Sequence, residues 1–271
     1  MKVQKRNEEI LSRICNIKAE HPFWGYRRVW AYLKYRQNII INHKRVYLLT
    51  RLNLFGQVKK HNLLVKPNTR LRAIRANAPH RSKPRATKPN QYWGIDMTKV
   101  MVSSFGWLYL VVVLDWHSKK IVGYSLKARS RTDDWLEAIN HAVNNQFPNG
   151  ILSKNNDLSL ISDNGSQPTS QKFMKECSAL EIKQIFTCYN NPKGNADTER
   201  VIRTIKEDLI WIKEWKTPSQ LEDDLKTWMV KYNTDFPHSS LNYKTPEQFE
   251  KEQLSCLCDA RRQVCTTKNA A

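Results

Sequence analysis

The order of strand-like and helix-like segments between residues 92 and 186 constrains the fold of this chain more than any other feature. Three segments with strand character come first, at 92–100, 107–114 and 121–126. A helix, a strand, a second helix and a second strand then alternate, at 133–145, 158–162, 171–179 and 182–186. Sequential strands followed by such alternation predict an α/β fold, in which helices cover a mixed sheet.

One helix within this region and two after it show further local signals. Thr132 is the predicted N-cap of the helix at 133–145. Residues 196–213 are predicted to form a helix that buries Ile202, Ile205, Leu209 and Ile212. Beyond it, a capping box with proline in the first turn, Thr217 to Gln220, predicts the start of a helical tail.

The first 58 residues carry three predicted helices, at 8–20, 26–35 and 42–52, with Asn42 as the N-cap of the third. Two short helices joined by a turn, with Lys44, Arg45 and Arg51 on the second, are typical of a helix-turn-helix that places its second helix in a major groove. An ordinary helical hairpin whose charges face water is the alternative.

Positive charge is concentrated at the N-terminus. Residues 1–90 hold 22 of the 45 lysines and arginines but three of the 25 acidic residues. Such a segment attracts polyanions by releasing their counterions, which predicts DNA as a partner. A solvated basic arm and an RNA contact remain alternatives. No apolar run approaches the roughly 20 residues that span a bilayer, and no signal sequence begins the chain, so we expect no membrane contact and a cytoplasmic location.

Three carboxylates in distinctive contexts are the candidate catalytic residues and metal ligands. Asp96 lies in WGIDMT at 93–98, Asp163 follows a short apolar stretch, and Glu199 lies in GNADTER at 194–200, with 35 residues between it and Asp163. Taken singly, each has a structural explanation: a polar strand position, a turn residue, and an ion pair with Arg203. For Asp115, a fourth acid, the alternatives are a metal neighbour and a strand-end or hairpin residue, of which the second is favoured. Asp197 is a rival ligand on a less favourable helical face.

These strings and their spacing resemble the D,D(35)E transposases and retroviral-type integrases, and most closely the catalytic reading frame of insertion-sequence-three elements. The resemblance covers residues 22–249 and implies a ribonuclease-H-like core. This chain departs from the family pattern at Gly194, where the family has aspartate, and at Lys119, where it commonly has arginine.

The resemblance implies four regions: a helix-turn-helix-like DNA-binding domain at 1–58, a basic linker at 59–89, the integrase-type core at 90–213 and a helical extension at 214–271. It also implies the cofactor, because three carboxylates suit Mg²⁺ or Mn²⁺, with two ions bound as in two-metal phosphoryl transfer. Contacts to DNA are expected from six basic residues: Arg27, Arg28, Lys44, Arg45, Arg203 and Lys206.

The resulting hypothesis is a DNA transposase that recognises element ends, nicks DNA and joins the 3′-hydroxyl to a target. Its partners would be terminal-repeat and target DNA, further copies of itself on that DNA, and an upstream-frame protein or a fusion to it, within the bacterial nucleoid. Two alternatives remain: a ribonuclease-H-like nuclease that only hydrolyses, and a catalytically silent DNA-binding remnant. Intact acidic residues favour an active enzyme.

Overall fold

The computed structural model describes residues 2–52, 84–151, 157–187 and 194–255. The chain divides into two compact units, Met1–Pro84 and Arg85–Ala271. The predicted linker falls mostly on residues 53–83, outside the described ranges, and the four predicted boundaries stay predictions. No helix in the described ranges is long and apolar enough to cross a membrane.

The N-terminal unit contains the three predicted helices: α1 (Lys2–Glu20), α2 (Tyr26–Tyr35) and α3 (His43–Leu52). Their apolar faces meet around Ile14, Val29, Leu33 and Val46, none of which is exposed. The predicted cap of α3 is confirmed, because the Lys44 amide donates a hydrogen bond to Asn42 Oδ1 at 2.8 Å. The helical periodicity of this segment therefore determines its small core.

The second unit is built on a five-stranded mixed sheet, which confirms the predicted fold class. Its strands are β1 (Tyr92–Val102), β2 (Gly106–Asp115), β3 (Ile121–Lys127), β4 (Ser159–Ser162) and β5 (Lys183–Phe186). They lie in the order β3-β2-β1-β4-β5, with the first three antiparallel and with β4 and β5 parallel to β1. This is the arrangement of a ribonuclease-H-like core, and it makes β1 the central strand.

Helices cover both faces of this sheet. On one face, α4 (Thr132–Gln146) and α5 (Gln171–Ala179) bury Trp93 and Ile95 of β1 with Val111 and Val113 of β2. On the other face, α6 (Ala196–Ile205) packs against Gly94, since successive side chains of a strand point to opposite sides. The even-numbered residues of β1, including Asp96, therefore share the face of α6.

The helix predicted at 196–213 is correct in its first half and wrong at its end. After Ile205 the chain continues as a π-helical turn, Lys206–Ile210. The wider turn shifts the following residues relative to the buried face, so Glu207 and Asp208 become buried while Ile212 is 43% exposed. The prediction of a buried Ile212 assumed an uninterrupted period of 3.6 residues.

The predicted N-cap of α4 was also wrong. Arg131 occupies the cap position, and its amide donates to Asp134 Oδ2 at 2.7 Å. Thr132 is the first helical residue, and its hydroxyl donates to Ser170 Oγ at the start of α5. A tertiary contact thus uses the hydroxyl that the local pattern assigned to capping.

The C-terminal region is helical, as predicted. Helix α7 (Pro218–Asp235) begins at the cap Thr217 and buries the five predicted apolar residues, Leu221, Leu225, Trp228, Met229 and Tyr232. Asn233 of α7 pairs with the edge strand β3 through the Ile121 amide and carbonyl, at 3.0 and 2.9 Å. A last helix, α8, spans 246–255 and has a reciprocal capping box between Thr245 and Gln248.

Candidate active site

Two of the three predicted carboxylates come together through the register of β1 and β4. Gly94 lies opposite Ile161 in this parallel pair. Asp96 lies two residues beyond Gly94 in β1, and Asp163 lies two residues beyond Ile161, directly after the end of β4. Because neighbouring strands are about 4.8 Å apart and residues in register point to the same face, both carboxylates start from adjacent sites.

Glu199 is brought to the same face by the first turn of α6. The side-chain Nδ2 of Asn195 donates to the Ile95 carbonyl at 3.0 Å, and Trp116 Nε1 donates to Thr198 Oγ1 at 3.3 Å. A methyl group at Gly94 would lie 2.0 Å from Thr198 Oγ1, so the helix approaches the strand as closely as a glycine allows. Glu199, exposed and next to Thr198, is thereby held beside β1.

Asp96 interacts electrostatically with Asp163 and Glu199. The pKa of Asp96 is raised from 3.8 to about 6, first because burial disfavours its charged form and then because of the negative charges of Asp163 and Glu199. A hydrogen bond from the Met97 amide and the positive charge of Lys206 act in the opposite direction. The site therefore concentrates negative charge that the protein alone only partly compensates.

This raised pKa predicts a specific pH dependence of stability. Because the folded state binds the Asp96 proton more tightly than the unfolded state, the metal-free protein should lose stability as the pH rises from about 4 to about 6. Asp96→Asn removes the charge. Melting temperatures measured in a chelator should therefore be higher for the variant at about pH 7.5 and nearly equal at about pH 3.5.

Asp223→Asn, which removes an exposed carboxylate of α7, is the control for loss of a negative charge. A constant difference between Asp96→Asn and wild type at both pH values would contradict the raised pKa of Asp96.

Each strand carboxylate accepts a local backbone hydrogen bond. The Met97 amide donates to Asp96 Oδ1 at 2.8 Å, and the Gly165 amide donates to Asp163 Oδ1 at 3.1 Å. Within the described ranges, no group of three or more histidine, cysteine, aspartate or glutamate side chains is close enough to hold a metal ion. The backbone brings the three acids to one place, but their side chains are not gathered at ligand distance.

The two other acidic candidates have structural partners. Asp115 is fully buried at the end of β2, where its Oδ2 accepts from the Ser118 amide at 2.9 Å and from the Ser118 hydroxyl at 2.5 Å. This arrangement agrees with the predicted hairpin role, and burial raises the pKa of Asp115. Asp197 forms an ion pair with Lys119, with 2.9 Å between Nζ and Oδ2.

The predicted basic residues of the core lie on α6 and directly after it. Arg203 pairs with Glu207, with 2.9 Å between Nε and Oε1, so the alternative ion pair of Arg203 with Glu199 is not formed. Lys206 is half-buried, and its charge lowers the pKa of Asp96. Lys206 is therefore electrostatically part of the acidic site.

In the N-terminal unit, the four residues predicted to contact DNA differ in their exposure and in their contacts within the protein. Lys44 is exposed in the first turn of α3. Arg45 is half-buried and donates two hydrogen bonds to Asn7 Oδ1, at 3.0 and 2.5 Å, which tie α3 to α1. Arg28 lies over the Trp24 ring, and Arg27, over Tyr26, is exposed. Lys44 and Arg27 are thus the more accessible two.

Sequence reasoning missed the residues that hold α6 against β1: Gly94, Trp116, Asn195 and Thr198. One signal was available, because glycine inside a strand often marks a close backbone approach. Its partner could not be read from the sequence, since Thr198 lies about a hundred residues away.

Comparison with known proteins finds integrase core domains, an HTH-like domain and insertion-sequence transposases. Two models of the integrase core domain match residues 86–192 and 180–246, together more than half of the chain, and an HTH-like domain model matches residues 5–61. A transposase for insertion sequence element IS904 of Lactococcus lactis is 29% identical over 254 residues, which cover 92% of this chain and 96% of that protein. The transposase InsD for insertion element IS2 of Escherichia coli is 25% identical, with coverage of 90% and 79%.

Solved structures that match part of this chain include an integrase core domain and a transposase catalytic domain. The HTLV-2 integrase catalytic core domain in complex with magnesium has a TM-score of 0.43 and 19% identity over 61% of this chain and 99% of that one. The catalytic domain of Mos1 mariner transposase has a TM-score of 0.47 and 14% identity over 61% of this chain and 82% of that one.

Proposed function

Because this chain belongs to the insertion-sequence transposases with an integrase core, we propose that it binds the ends of its element, nicks the DNA there and joins the freed 3′-hydroxyl to target DNA. Asp96, Asp163 and Glu199 are the catalytic residues in this proposal. One observation carries it: Asp96 and Asp163 each lie two residues beyond the paired strand positions Gly94 and Ile161, and the charges of Asp163 and Glu199 both raise the pKa of Asp96.

The same three residues are the proposed ligands of divalent metal. Carboxylate oxygens are the donors that Mg²⁺ and Mn²⁺ prefer, and the uncompensated negative charge at Asp96 suits a cation. The side chains of Asp96 and Asp163 would have to turn from their backbone donors toward the ions. When bound, a pair of such ions supplies an activated oxygen nucleophile and stabilises the departing oxygen of the phosphodiester.

The remaining residues of the site position the DNA. Lys206 directly follows α6, and its positive charge lowers the pKa of Asp96. In this proposal it contacts a DNA phosphate beside the acidic residues. Arg203 is exposed on α6 one turn earlier, and its pair with Glu207 leaves its guanidinium on the surface. Together these two residues would orient the scissile strand by charge, without reading bases.

Labelled DNA carrying the ends of the element tests the proposed reaction. Wild-type protein with Mg²⁺ or Mn²⁺ should yield a nicked strand and, in addition, a product in which the labelled 3′ end is joined to another duplex. Nicked product without joined product would support the nuclease alternative. Binding without either product would support a catalytically silent remnant.

Metal binding should be visible without activity. Millimolar Mg²⁺ or Mn²⁺ should raise the melting temperature of the wild-type protein, because a bound cation offsets the repulsion among three carboxylates. The variant Asp163→Asn should show a much smaller rise, and Asp223→Asn should behave like wild type. Equal shifts in Asp163→Asn and wild type would count against these ligands.

For end recognition we place α3 in the major groove. Its exposed face consists of His43, Lys44, Tyr47, Leu48 and Arg51, and no acidic residue occurs in this helix. Tyr47 and Leu48 are 43% and 52% exposed, which suits apolar contact with base edges between two cations. Arg45 has a different part in this proposal, because its hydrogen bonds to Asn7 hold the helix.

Binding measurements distinguish base contacts from phosphate contacts of α3. Lys44→Ala and Arg51→Ala should each weaken binding of terminal-repeat DNA by about tenfold or more if they contact bases. Loss of a phosphate contact would instead weaken the binding of all DNA sequences alike. It would also reduce the slope of log affinity against log salt concentration by about 0.9. Lys231→Ala, which removes an exposed lysine of α7, is the control for loss of positive charge. Unchanged affinity in both α3 variants would exclude this face as the DNA contact.

A further inference from the structure

The turn between β2 and β3 is held more firmly than a hairpin loop requires. The buried Asp115 carboxylate accepts hydrogen bonds from Ser118, and the Lys119 amide donates to the Asp115 carbonyl at 2.9 Å. Lys119 has a left-handed backbone with φ of 60°, and the Tyr232 hydroxyl of α7 donates to its carbonyl at 3.2 Å. This turn is therefore tied both to the end of β2 and to α7.

Two side chains extend from this turn to the first turn of α6. Lys119 Nζ donates to the Trp116 carbonyl at 2.6 Å and to Asp197 Oδ2 at 2.9 Å. Trp116 Nε1 donates to Thr198 Oγ1 at 3.3 Å. Asp197 and Thr198 are the two residues directly before Glu199, so both contacts act on the backbone that carries the glutamate.

The start of α6 depends on such contacts. Its N-cap residue, Asn195, makes no side-chain capping hydrogen bond to the described first turn. The side-chain Nδ2 of Asn195 instead donates to the Ile95 carbonyl of β1. A side-chain cap commonly stabilises the start of a helix. Here the start of α6 is instead held by contacts to β1 and to the β2–β3 turn.

We infer that Lys119 is a positioning residue, which sets the direction of Glu199 toward Asp96 by anchoring Asp197 to the β2–β3 turn. The inference rests on the proposed function of Glu199. Lys119 has a second effect through the same ion pair, because it occupies the Asp197 carboxylate, which would otherwise be a competing acid next to Glu199. Lys119 acts through α6 and does not touch the reacting groups.

The test compares Lys119→Met with Lys119→Arg, using the strand-transfer assay on the full chain. Lys119→Met keeps much of the side-chain length and removes the charge, and it should lower the rate constant about tenfold while the KM for DNA stays within about twofold. It should also raise the metal concentration that gives half-maximal activity. Lys119→Arg, which keeps a cation at this place, should restore most of the rate.

A second ion pair in the same unit provides the matched control. Lys127 pairs with Glu137 at 2.9 Å, and this pair joins β3 to α4 without contacting α6. Lys127→Met should therefore leave the rate constant and the metal requirement unchanged. Equal losses in Lys127→Met and Lys119→Met, or an unchanged rate in Lys119→Met, would overturn the positioning role.

Two measurements keep this inference separate from the proposed function. If Lys119→Met does not fold, Asp197→Asn removes the same ion pair with little change of shape and should also lower the rate, by a smaller factor because the competing acid is lost as well. If the wild-type protein neither nicks nor joins DNA, the proposed reaction is disproved. Metal-dependent melting still tests whether Lys119 and Asp197 position Glu199. A higher metal concentration for half-maximal stabilisation in Asp197→Asn supports the inference, and an unchanged one overturns it.

Discussion

Asp163→Asn should abolish both nicking and joining of element-end DNA, with a loss of about a thousandfold or more. The substitution keeps the shape of the side chain but removes a negative charge from the proposed metal site. Metal ions contribute several kcal/mol of charge stabilisation in phosphoryl transfer, and about 4 kcal/mol corresponds to a thousandfold change in rate. Asp96→Asn and Glu199→Gln should have effects of similar size, as measured by single-turnover cleavage and joining.

The exposed Asp223 serves as the control, because Asp223→Asn removes a carboxylate remote from this site in sequence and should retain the wild-type rate. The three inactive variants should still bind element-end DNA, since that task is assigned to the N-terminal unit. Retention of more than about a tenth of the rate in any of them would remove that residue from the proposed ligand set.

Gly94→Ala should be the most damaging substitution that adds a single methyl group near the site. The new Cβ atom would lie 2.0 Å from Thr198 Oγ1 and 2.4 Å from Trp116 Nε1. Thr198 is completely buried, so α6 must move away from β1. Overpacking of this kind costs about 1–3 kcal/mol, and a displacement of about 1 Å can cost about a hundredfold in rate.

Gly123→Ala is the matched control for Gly94→Ala. Its Cβ atom would lie 2.4 Å from the Ala138 carbonyl oxygen, against α4 on the opposite face of the sheet. Both variants should melt at lower temperature than wild type, but only Gly94→Ala should lose activity per folded molecule. In Gly94→Ala/Thr198→Ala the shortest contact is removed, so part of the rate should return. Equal specific activity in Gly94→Ala and Gly123→Ala would contradict the role assigned to α6.

Local sequence patterns were sufficient for most secondary structure. Helix α2 has the predicted bounds Tyr26–Tyr35, and α5 has the predicted bounds Gln171–Ala179. In both cases, apolar periodicity and local turn chemistry act within one or two helical turns, so neighbouring residues decide the outcome. The predictions failed where a distant partner intervened, as at Thr132, or where the helical period changed, as at Ile212.

The candidate site was predicted in part. The sequence contexts singled out Asp96, Asp163 and Glu199, and the strand pattern placed Asp163 directly after β4. The hairpin role of Asp115 could also be predicted, because the short polar turn that follows it is local. Neither Lys119 nor Gly94 was identified as part of the arrangement, since the importance of each comes from residues of α6 far along the chain.

The sequence by itself determined the order of strands and helices, the basic character of the N-terminus and the identity of the three acidic residues. Only the tertiary structure decided that β4 pairs with β1 so that Asp163 follows beside Asp96, that α6 meets β1 at Gly94 and that Arg45 is bonded to Asn7. The physical reason is the range of the interactions. Helical and strand periods arise between residues a few positions apart, whereas register, close packing and charge pairing depend on how segments separated by tens of residues come together.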